Sequence, residues 1–238
     1  MTQHIDARSL AVGYGHQAVV RDVTFSLGAG DLLVLIGTNG SGKSTLLKTL
    51  AGLIAPVAGS LAILEDSAGA RPTDVAYLPQ HPVSTHTLPI RVRDVVTMGR
   101  YATLGLFRRV GAADRAAVTR SMQRTGVTDL ADRSIRDLSG GQQQRAHLAQ
   151  VLAREANVLL LDEPTAGLDI NGRREVGRII AEERARGVTV VMATHELSDA
   201  EDATAVMLLA QRVVALGAPA EALRDEYLRE CFGFTQPH

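Results

Sequence analysis

The chain has few aromatic residues, one cysteine and almost no excess of charge. A single cysteine, Cys231, excludes a disulfide within the chain and suits a reducing compartment such as the cytoplasm. Its side chain is expected to be either a surface thiol or a small buried apolar group. The 25 Lys and Arg residues nearly balance 26 Asp and Glu residues, so the net charge of −1 provides no overall field to attract nucleic acid or an anionic membrane.

Long apolar runs are also missing. The longest, Leu32–Ile36 and Val206–Ala210, are far shorter than the roughly 20 residues that cross a bilayer. Any membrane role is therefore expected to come through a separate membrane subunit. At 238 residues the chain can bury a sizeable core and has the length of one large α/β domain with an insertion, which predicts one catalytic unit.

Two glycine-rich loops are the most informative features that are present. The first fits the P-loop pattern, in which backbone N–H groups cradle phosphates and a lysine reaches the β and γ oxygens. It reads Gly37-Thr38-Asn39-Gly40-Ser41-Gly42-Lys43-Ser44-Thr45. The second, Leu138-Ser139-Gly140-Gly141-Gln142, opens a helix expected from about Gln142 to Glu155, whose N-terminal N–H groups also favour anions. Two anion-binding loops imply a triphosphate held from two sides.

Three short apolar runs each end in residues suited to phosphate chemistry. They are Leu32–Ile36 before the P-loop, Val158–Leu161 before Asp162-Glu163, and Val188–Ala193 before Thr194-His195. Such continuous runs are typical of buried parallel strands. Because ligands bind at the carboxyl ends of parallel strands, we expect Ser44, Glu163 and His195 at one edge of a doubly wound sheet.

Two further regions predict additions to this sheet. The valines and Phe25 of the N-terminal stretch are typical of short antiparallel strands that cover one edge. Between Gln80 and Leu138, apolar residues recur at helical spacing, which favours an inserted helical subdomain. The residues with this spacing are Val92, Val95, Val96, Met98, Ala116, Val118, Met122 and Leu130.

Together these motifs resemble the nucleotide-binding subunit of ATP-binding cassette (ABC) transporters. After the two loops come Val158–Glu163 and Ala166-Gly167-Leu168-Asp169, and the resemblance covers nearly the whole chain. It implies an α/β P-loop NTPase fold, with a doubly wound and mainly parallel sheet, an N-terminal antiparallel β subdomain and an inserted α-helical subdomain. A single ABC ATPase domain would span residues 1–238. The core and β subdomain would occupy about 1–80 and 156–238, and the helical subdomain about 81–155.

The resemblance also implies roles for the acidic strand end, with ATP and Mg²⁺ as cofactors. Lys43 would clamp phosphate, rather than stand as a solvated lysine at a helix start, and Ser44 would ligate Mg²⁺. Neighbouring residues of a strand point in opposite directions. Asp162 would therefore face Mg²⁺, directly or through water, while Glu163 deprotonates the attacking water. The alternative for Asp162 is an ordinary helix N-cap.

Four further positions match functional residues of the family. Gln80 matches the glutamine that contacts Mg²⁺ and the lytic water, with a turn at Pro79 as the alternative. His195 matches the histidine that binds the γ-phosphate, although a lone histidine is usually structural. Tyr14 has the spacing of the ring that stacks on adenine, with core packing as the alternative. Asp169 matches the loop that crosses the dimer seam, a position compatible with a helix N-cap.

The resemblance thus implies a complete set of site residues. The catalytic residues are Lys43, Gln80, Glu163 and His195, and the Mg²⁺ ligands are Ser44, Gln80 and Asp162. The nucleotide-binding residues are Tyr14, Gly37, Asn39, Gly40, Ser41, Gly42, Lys43, Ser44, Thr45, Ser139, Gly140, Gly141, Gln142 and Asp169. It also implies a homodimer in which Ser139 and Gly141 of one subunit close over ATP held by Lys43 of the other.

The stretch from Leu88 to Arg109 interleaves apolar, aromatic and arginine residues. This pattern predicts a wall that receives a partner's helix, with Tyr101, Leu106 and Phe107 as anchors and the arginines at the rim. The alternative is a helix and loop with a solvated basic face. His81 and His86 lack a neighbouring cluster of cysteines or carboxylates, so they do not predict a metal site.

The same stretch, with the segments around Ala131–Ile135 and Gln142–Arg145, is similar to ATPases of manganese/zinc-type metal-ion importers. That likeness implies an integral membrane permease as partner, an extracytoplasmic solute-binding protein as indirect partner, and a peripheral location at the cytoplasmic face of the membrane. ATPases of siderophore, haem and cobalamin importers share Gly99-Arg100-Tyr101 and are the alternative. A soluble ABC ATPase acting on DNA or ribosomes is disfavoured, because the chain has one cassette and no basic excess.

Overall fold

The computed structural model describes residues 3–64, 74–80, 89–104 and 109–233. The strands are β1 (Gln3–Tyr14), β2 (Gln17–Gly28), β3 (Leu32–Ile36), β4 (Ala58–Ile63), β5 (Val75–Leu78), β6 (Val158–Asp162), β7 (Thr189–Thr194), β8 (Ala205–Leu209) and β9 (Val213–Gly217). The α-helices are α1 (Lys43–Leu50), α2 (Val92–Leu104), α3 (Ala112–Arg124), α4 (Gly140–Ala153), α5 (Ile170–Ala185), α6 (Pro219–Ala222) and α7 (Asp225–Phe232).

A mainly parallel sheet of order β5-β6-β7-β3-β8-β9 forms the centre, and β9 runs antiparallel to β8. Both faces of this sheet are covered. In β3, Leu32, Val34 and Ile36 pack into the apolar cluster that contains α4 and α5, whereas Leu33 and Leu35 pack into the cluster beneath β1, β2 and α1. Strand side chains alternate between faces, so a strand buried on both sides must be apolar at every position. The predicted α/β fold class is therefore confirmed.

The second sheet is antiparallel, with the order β2-β1-β4. The expectation of short strands is wrong here, because β1 and β2 have 12 residues each. Their pairing has register shifts, for example between Ala7 and Leu10, and Ser9 has a φ of 44°. Such bulges interrupt the alternation of apolar and polar residues, so a long strand looks like several short ones in the sequence.

Helices α2, α3 and α4 enclose a third apolar cluster, which includes Val92, Val95, Val96, Val118 and Met122. Two residues assigned to this face are not buried, since Met98 is 38% exposed and Ala116 is also exposed. The helix that follows the second glycine-rich loop begins at Gly140 and ends at Ala153, slightly earlier at both ends than expected. The division into subdomains at about residues 80 and 156 stays a prediction.

The Gly99-Arg100 pair of α2 fastens this helical cluster together. A Cβ on Gly99 would lie 2.1 Å from the carbonyl oxygen of Gln150, so α2 and α4 approach too closely for any larger residue. Nε of Arg100 donates to Asp114 Oδ1 at 3.0 Å, and Nη1 donates to the Ala153 carbonyl at 2.8 Å and to Glu155 Oε2 at 3.0 Å. Arg100 thus joins the start of α3 to the end of α4, and the expectation that it lines the rim of a docking wall is wrong.

The C-terminal helices α6 and α7 cover the central sheet at β8 and β9. Cys231 in α7 is buried, and its Sγ donates to the carbonyl of Leu209 at 3.5 Å. Burial raises the pKa of this thiol. Of the two alternatives for Cys231, the small buried apolar group is therefore correct. Across the ranges that the structure describes, no helix is long and apolar enough to cross a membrane.

We expect Arg100→Met to lower the free energy of unfolding by about 3 kcal/mol, because it removes the buried ion pair with Asp114 and the donor to the last carbonyls of α4. Denaturant unfolding of the nucleotide-free chain measures this loss. Arg120→Met is the matched control, since Arg120 also pairs with Glu155 but its side chain is 59% exposed. That control should lose less than about 1 kcal/mol. Equal losses for the two variants would contradict the buried role of Arg100.

Candidate functional site

The P-loop leaves the end of β3 and turns sharply into α1. Gly42, the residue before α1, has a φ of 106°, a left-handed conformation that favours glycine. A Cβ at this position would lie 2.2 Å from Cγ2 of Val20, so the loop packs directly against β2. The first N–H groups of α1, which lack partners within the helix, open onto the loop.

Lys43 lies within this loop and is only 6% exposed. Its Nζ donates to the carbonyl oxygens of Gly37 at 2.6 Å and Thr38 at 3.1 Å. Burial lowers the pKa of Lys43, while the nearby carboxylates of Glu163 and Asp162 oppose that shift. The alternative of a solvated lysine is therefore wrong.

Asp162, the last residue of β6, is 2% exposed. Its Oδ2 accepts a hydrogen bond from the Tyr77 hydroxyl at 3.4 Å, and the Ser44 hydroxyl lies near the carboxylate. Its Oδ1 has no hydrogen-bond partner among the described residues. Burial raises the pKa of Asp162, and the nearby Ser44 hydroxyl opposes the rise. A turn rather than a helix follows, so the N-cap alternative for Asp162 is wrong.

Strands β6 and β7 are neighbours, and their ends bring Glu163 and His195 together. His195 Nδ1 lies 3.9 Å from Glu163 Oε1. The His195 side chain is 58% exposed, whereas that of Glu163 is 12% exposed. Strand β7 pairs with β6 on one side and with β3 on the other, both in parallel. The P-loop that carries Ser44 therefore leaves β3 at the same edge of the sheet. The structure thus places Ser44, Glu163 and His195 at one edge of the sheet.

Glu163 has an unfavourable backbone conformation. Its φ of 51° is left-handed, which costs a residue with a side chain on the order of 1–3 kcal/mol. Its N–H donates to the carbonyl of Ala193 at 2.9 Å, and its own carbonyl accepts from the N–H of Ala166 at 3.1 Å and from Gln144 Nε2 at 3.3 Å. The turn that carries the Glu163 carboxylate is therefore held from several directions.

The second glycine-rich loop, residues Leu138–Gln142, forms the start of α4 and is called the signature loop below. The Oγ of Ser139 accepts from the N–H of Gln142 at 3.3 Å, and Oε1 of Gln142 accepts from the N–H of Ser139 at 3.0 Å. This reciprocal capping box fixes the direction of the helix. The N–H groups of Gly140 and Gly141 are among those that a helix start leaves without internal acceptors.

The two glutamines that follow the signature loop have different partners. Nε2 of Gln143 donates to two carbonyls of the segment that leads into α4, both at 3.1 Å. Nε2 of Gln144 donates instead to the carbonyls of Glu163 at 3.3 Å and Pro164 at 3.2 Å. The first turn of α4 is therefore bonded both to its own approach and to the end of β6.

The segment Ala166–Asp169 connects the Glu163 turn to α5. Asp169 caps that helix, because its Oδ1 accepts from the N–H of Gly172 at 2.8 Å. A Cβ on Gly141 would lie 3.3 Å from Cδ2 of Leu168, so the signature loop of the same chain packs against this segment. Asp169 remains exposed despite its capping bond.

The remaining positions lie around this edge. Tyr14 ends β1 and is 53% exposed, so core packing is wrong as its role. Gln80 is half-buried just beyond β5, the strand that pairs with β6. Nucleotide contacts by Tyr14 and Gln80 stay predictions. His81 and His86 lie outside the described residues.

Three side chains of this site had no assignment from the sequence. The role of Tyr77 appears only in the structure, where its hydroxyl donates to Asp162 from the neighbouring strand. Gln144 lies among the buried apolar residues of α4. A polar residue at such a position in the sequence indicates a hydrogen bond inside the protein, because buried amides are almost always paired. Nη1 of Arg173 donates to Glu196 Oε1 at 2.7 Å, and no sequence spacing predicts such a pair between separate segments.

These groups make a coherent chemical set. An ammonium group, a helix N-terminus, two adjacent carboxylates, a hydroxyl and an imidazole meet at the edge of one sheet. Such a set can bind a polyphosphate anion, offer oxygen ligands to a divalent cation and supply a base for an attacking water.

Comparison with known proteins agrees with this chemistry. Residues 20–166 match the family described as ABC transporter. The chain is 35% identical to the manganese transport system ATP-binding protein MntB of Bacillus subtilis, over 96% of this chain and 92% of that protein. It is 38% identical to the ferric enterobactin transport ATP-binding protein FepC of Escherichia coli, over 94% and 85% of the two chains. The chain therefore belongs to the ABC transporter family.

Within that family the chain is an ATP-hydrolysing, ATP-binding subunit of a transport system. It is 34% identical to the zinc transport system ATP-binding protein TroB of Treponema pallidum, over 96% of this chain and 86% of that protein. Among solved structures it is similar to a protein assigned to the metal-chelate type ABC transporters, captured in an inward-facing conformation. The TM-score is 0.84 at 29% identity, over 97% of this chain and 89% of that one.

We expect Lys43→Met to weaken ATP binding by about 10- to 100-fold or more, because methionine keeps the length of the side chain but donates no charged hydrogen bond to phosphate. Titration with ATP measures the affinity. The free energy of unfolding without nucleotide should change by less than about 1 kcal/mol, since the lost hydrogen bonds are offset by removal of a buried charge.

Lys48 is the chain's other lysine, and it lies on the same helix, so Lys48→Met is the matched control. This control should bind ATP normally. An unchanged ATP affinity in Lys43→Met would remove Lys43 from the phosphate site.

Proposed function

We propose that this subunit hydrolyses ATP at a head-to-tail dimer interface and drives import of a divalent metal ion, of the manganese/zinc type, through a separate membrane permease. The observation that carries the catalytic part is the meeting of Lys43, Asp162, Glu163 and His195 at the carboxyl edge of the sheet. The substrate part rests on similarity to MntB and TroB over almost the whole chain.

The geometry supports a distinct role for each polar group. Glu163 takes a proton from water as the water oxygen attacks the γ-phosphorus, and the bond to the β-phosphate oxygen breaks to give ADP and phosphate. His195, exposed beside Glu163, binds the γ-phosphate. Lys43 exchanges its bonds to the loop carbonyls for bonds to the β and γ oxygens.

The donor set beside the P-loop fits Mg²⁺. Oδ1 of Asp162 is a buried carboxylate oxygen without a hydrogen-bond partner in the described part of the chain, and the Ser44 hydroxyl lies near the same carboxylate. Hard oxygen donors of this kind are the ligands that Mg²⁺ prefers. Ser44, Asp162 and Gln80 would hold the ion, which when bound neutralises charge on the phosphate oxygens.

The dimer is proposed from the exposure of the groups that would face a second copy. Ser139 and Gly140 at the start of α4 are exposed, and so are Asp169 and Ile170, the latter by 70%. In the proposed arrangement, Ser139, Gly141 and Gln142 of one subunit close over ATP bound to Lys43 of the other. Tyr14 stacks on the adenine ring, and Asp169 lies at the seam between the subunits.

The permease contact is proposed on the exposed side of α2. Tyr101 is 56% exposed and Met98 is 38% exposed, and residues three apart share one helix face. Leu106 and Phe107, the other two expected anchors, lie outside the described residues. Docking there would hold the chain peripherally at the cytoplasmic face of the membrane, with a solute-binding protein as indirect partner.

A second candidate function is the ATPase of a chelate importer, of the siderophore, haem or cobalamin class. The 38% identity to FepC favours it. The Gly99-Arg100-Tyr101 element does not, because Gly99 and Arg100 are explained by packing between helices. The metal-ion assignment therefore depends on the similarity to MntB and TroB.

Reconstitution of the chain with its membrane subunit in vesicles tests the proposed function. We expect ATP-dependent uptake of Mn²⁺ or Zn²⁺, and Glu163→Gln should bind ATP but lower its hydrolysis by about 10²- to 10⁴-fold, because an amide cannot take the proton. Uptake of a ferric chelate without uptake of the free ions would replace the proposal with the second candidate. Near-normal turnover in Glu163→Gln would remove this residue from the role of base.

Tandem fusions test the shared sites. Fusing a Lys43→Ala copy to a Ser139→Arg copy should restore hydrolysis at one interface, because the two lesions fall in the same shared site and the other site is intact. Fusing a wild-type copy to the double mutant should be nearly silent, since each shared site then carries one lesion. ATP turnover of the purified fusions is the measurement. An active second fusion beside a silent first one would show that each chain holds a complete site.

A further inference from the structure

The buried amide of Gln144 is bonded to the backbone that carries the Glu163 carboxylate. Gln144 is 9% exposed, and its Nε2 reaches the carbonyls of Glu163 and Pro164 at 3.3 and 3.2 Å. An amide nitrogen has two hydrogens, so both bonds can form together. Both donors are therefore directed at the backbone of the Glu163 turn.

The backbone that receives these bonds is one that needs support. Glu163 has a left-handed φ of 51° and is followed by Pro164, which disfavours a right-handed helical conformation at the preceding residue. The N–H of Glu163 is held by Ala193 of β7. On the carbonyl side, Gln144 is the contact that comes from outside the turn, and it comes from the helix of the signature loop.

We propose that Gln144 is a positioning residue that aligns the Glu163 carboxylate and makes this alignment depend on the placement of α4. The inference rests on the proposed role of Glu163 as the base. When α4 is seated against the end of β6, the two hydrogen bonds fix the turn and the carboxylate is aimed. When α4 shifts, both carbonyls lose the bond from Gln144, the Glu163 carbonyl keeps only the bond from the Ala166 N–H, and the turn loosens.

This link joins two functions within one chain. The first residues of α4 form the signature loop, which is proposed to bind the ATP held by the partner subunit. Gln144 lies one helical turn further along and contacts the base proposed to act on the chain's own ATP. Closure of the signature loop on one nucleotide would thus align the base at the other.

The first test is Gln144→Met, which keeps an unbranched side chain of similar length and removes both donors. In the full chain we expect kcat for ATP hydrolysis to fall by about 10- to 100-fold, the effect of a small misplacement of a reacting group. The KM for ATP should stay within about threefold, because the hydrogen bonds of the Gln144 amide go to the Glu163 turn and not to the P-loop.

A second variant and a control guard against a purely structural effect. Gln144→Glu keeps the shape of the side chain but points an acceptor at two carbonyls, so kcat should fall at least as far. Gln150→Met is the control on the same helix, because the Gln150 side chain contacts His147, 3.3 Å away, and lies outside the site. Its kcat should match that of the unaltered chain.

The decisive measurement is the double variant with Glu163→Gln. If Gln144 acts through the carboxylate, Gln144→Met should leave the residual single-turnover rate of Glu163→Gln nearly unchanged. A further loss of the same size as in the unaltered background would overturn the proposal. So would a rise in KM that accounts for the loss, or failure of both Gln144 variants to fold. Near-normal turnover in Glu163→Gln alone would instead refute the proposed base and is recognised independently of Gln144.

Discussion

The site depends on one constraint, which is that the central parallel sheet is buried on both faces. Burial leaves only the strand ends for polar chemistry, and the parallel direction brings the carboxyl ends of β3, β6 and β7 to one edge. The P-loop, the paired carboxylates and His195 follow these three strands directly. Their proximity is therefore a consequence of strand order, and no long-range contact among the side chains is needed to create it.

Several energetically unfavourable features lie together at this edge. Lys43 and Asp162 are charged groups with little exposure, Asp162 Oδ1 lacks a hydrogen-bond partner among the described residues, and Glu163 has a strained backbone. Burying unpaired polar atoms and holding strained conformations lowers stability. These features persist because the surrounding sheet and α4 fix them. They keep charged and polar groups concentrated where a charged ligand would bind.

The sequence predicts those parts of the fold whose signal is local. Runs such as Leu32–Ile36 reveal strands buried on both faces, and glycines beside Lys43 reveal a phosphate loop. The length of β1 is hidden, because bulges near Ser9 break its alternation. Arg100 is misassigned, because its partners Asp114 and Ala153 lie on other helices and spacing along α2 cannot show them. The role of such residues is decided by packing between helices and not by local propensity.

The nucleotide site and the surface that selects the transporter are expected to lie in different parts of the chain. Each group at the carboxyl edge is suited to a nucleotide, and none of them has a geometry that distinguishes one transported solute from another. Selectivity of this chain for its own transporter is then expected on surfaces that differ from that edge, and the exposed Met98 and Tyr101 of α2 are candidates for this role. Helix α2 packs on α4, which carries both the signature loop and Gln144. A contact on α2 is thus connected to the Glu163 turn through α4, which touches α2 at Gly99 and bonds the turn through Gln144.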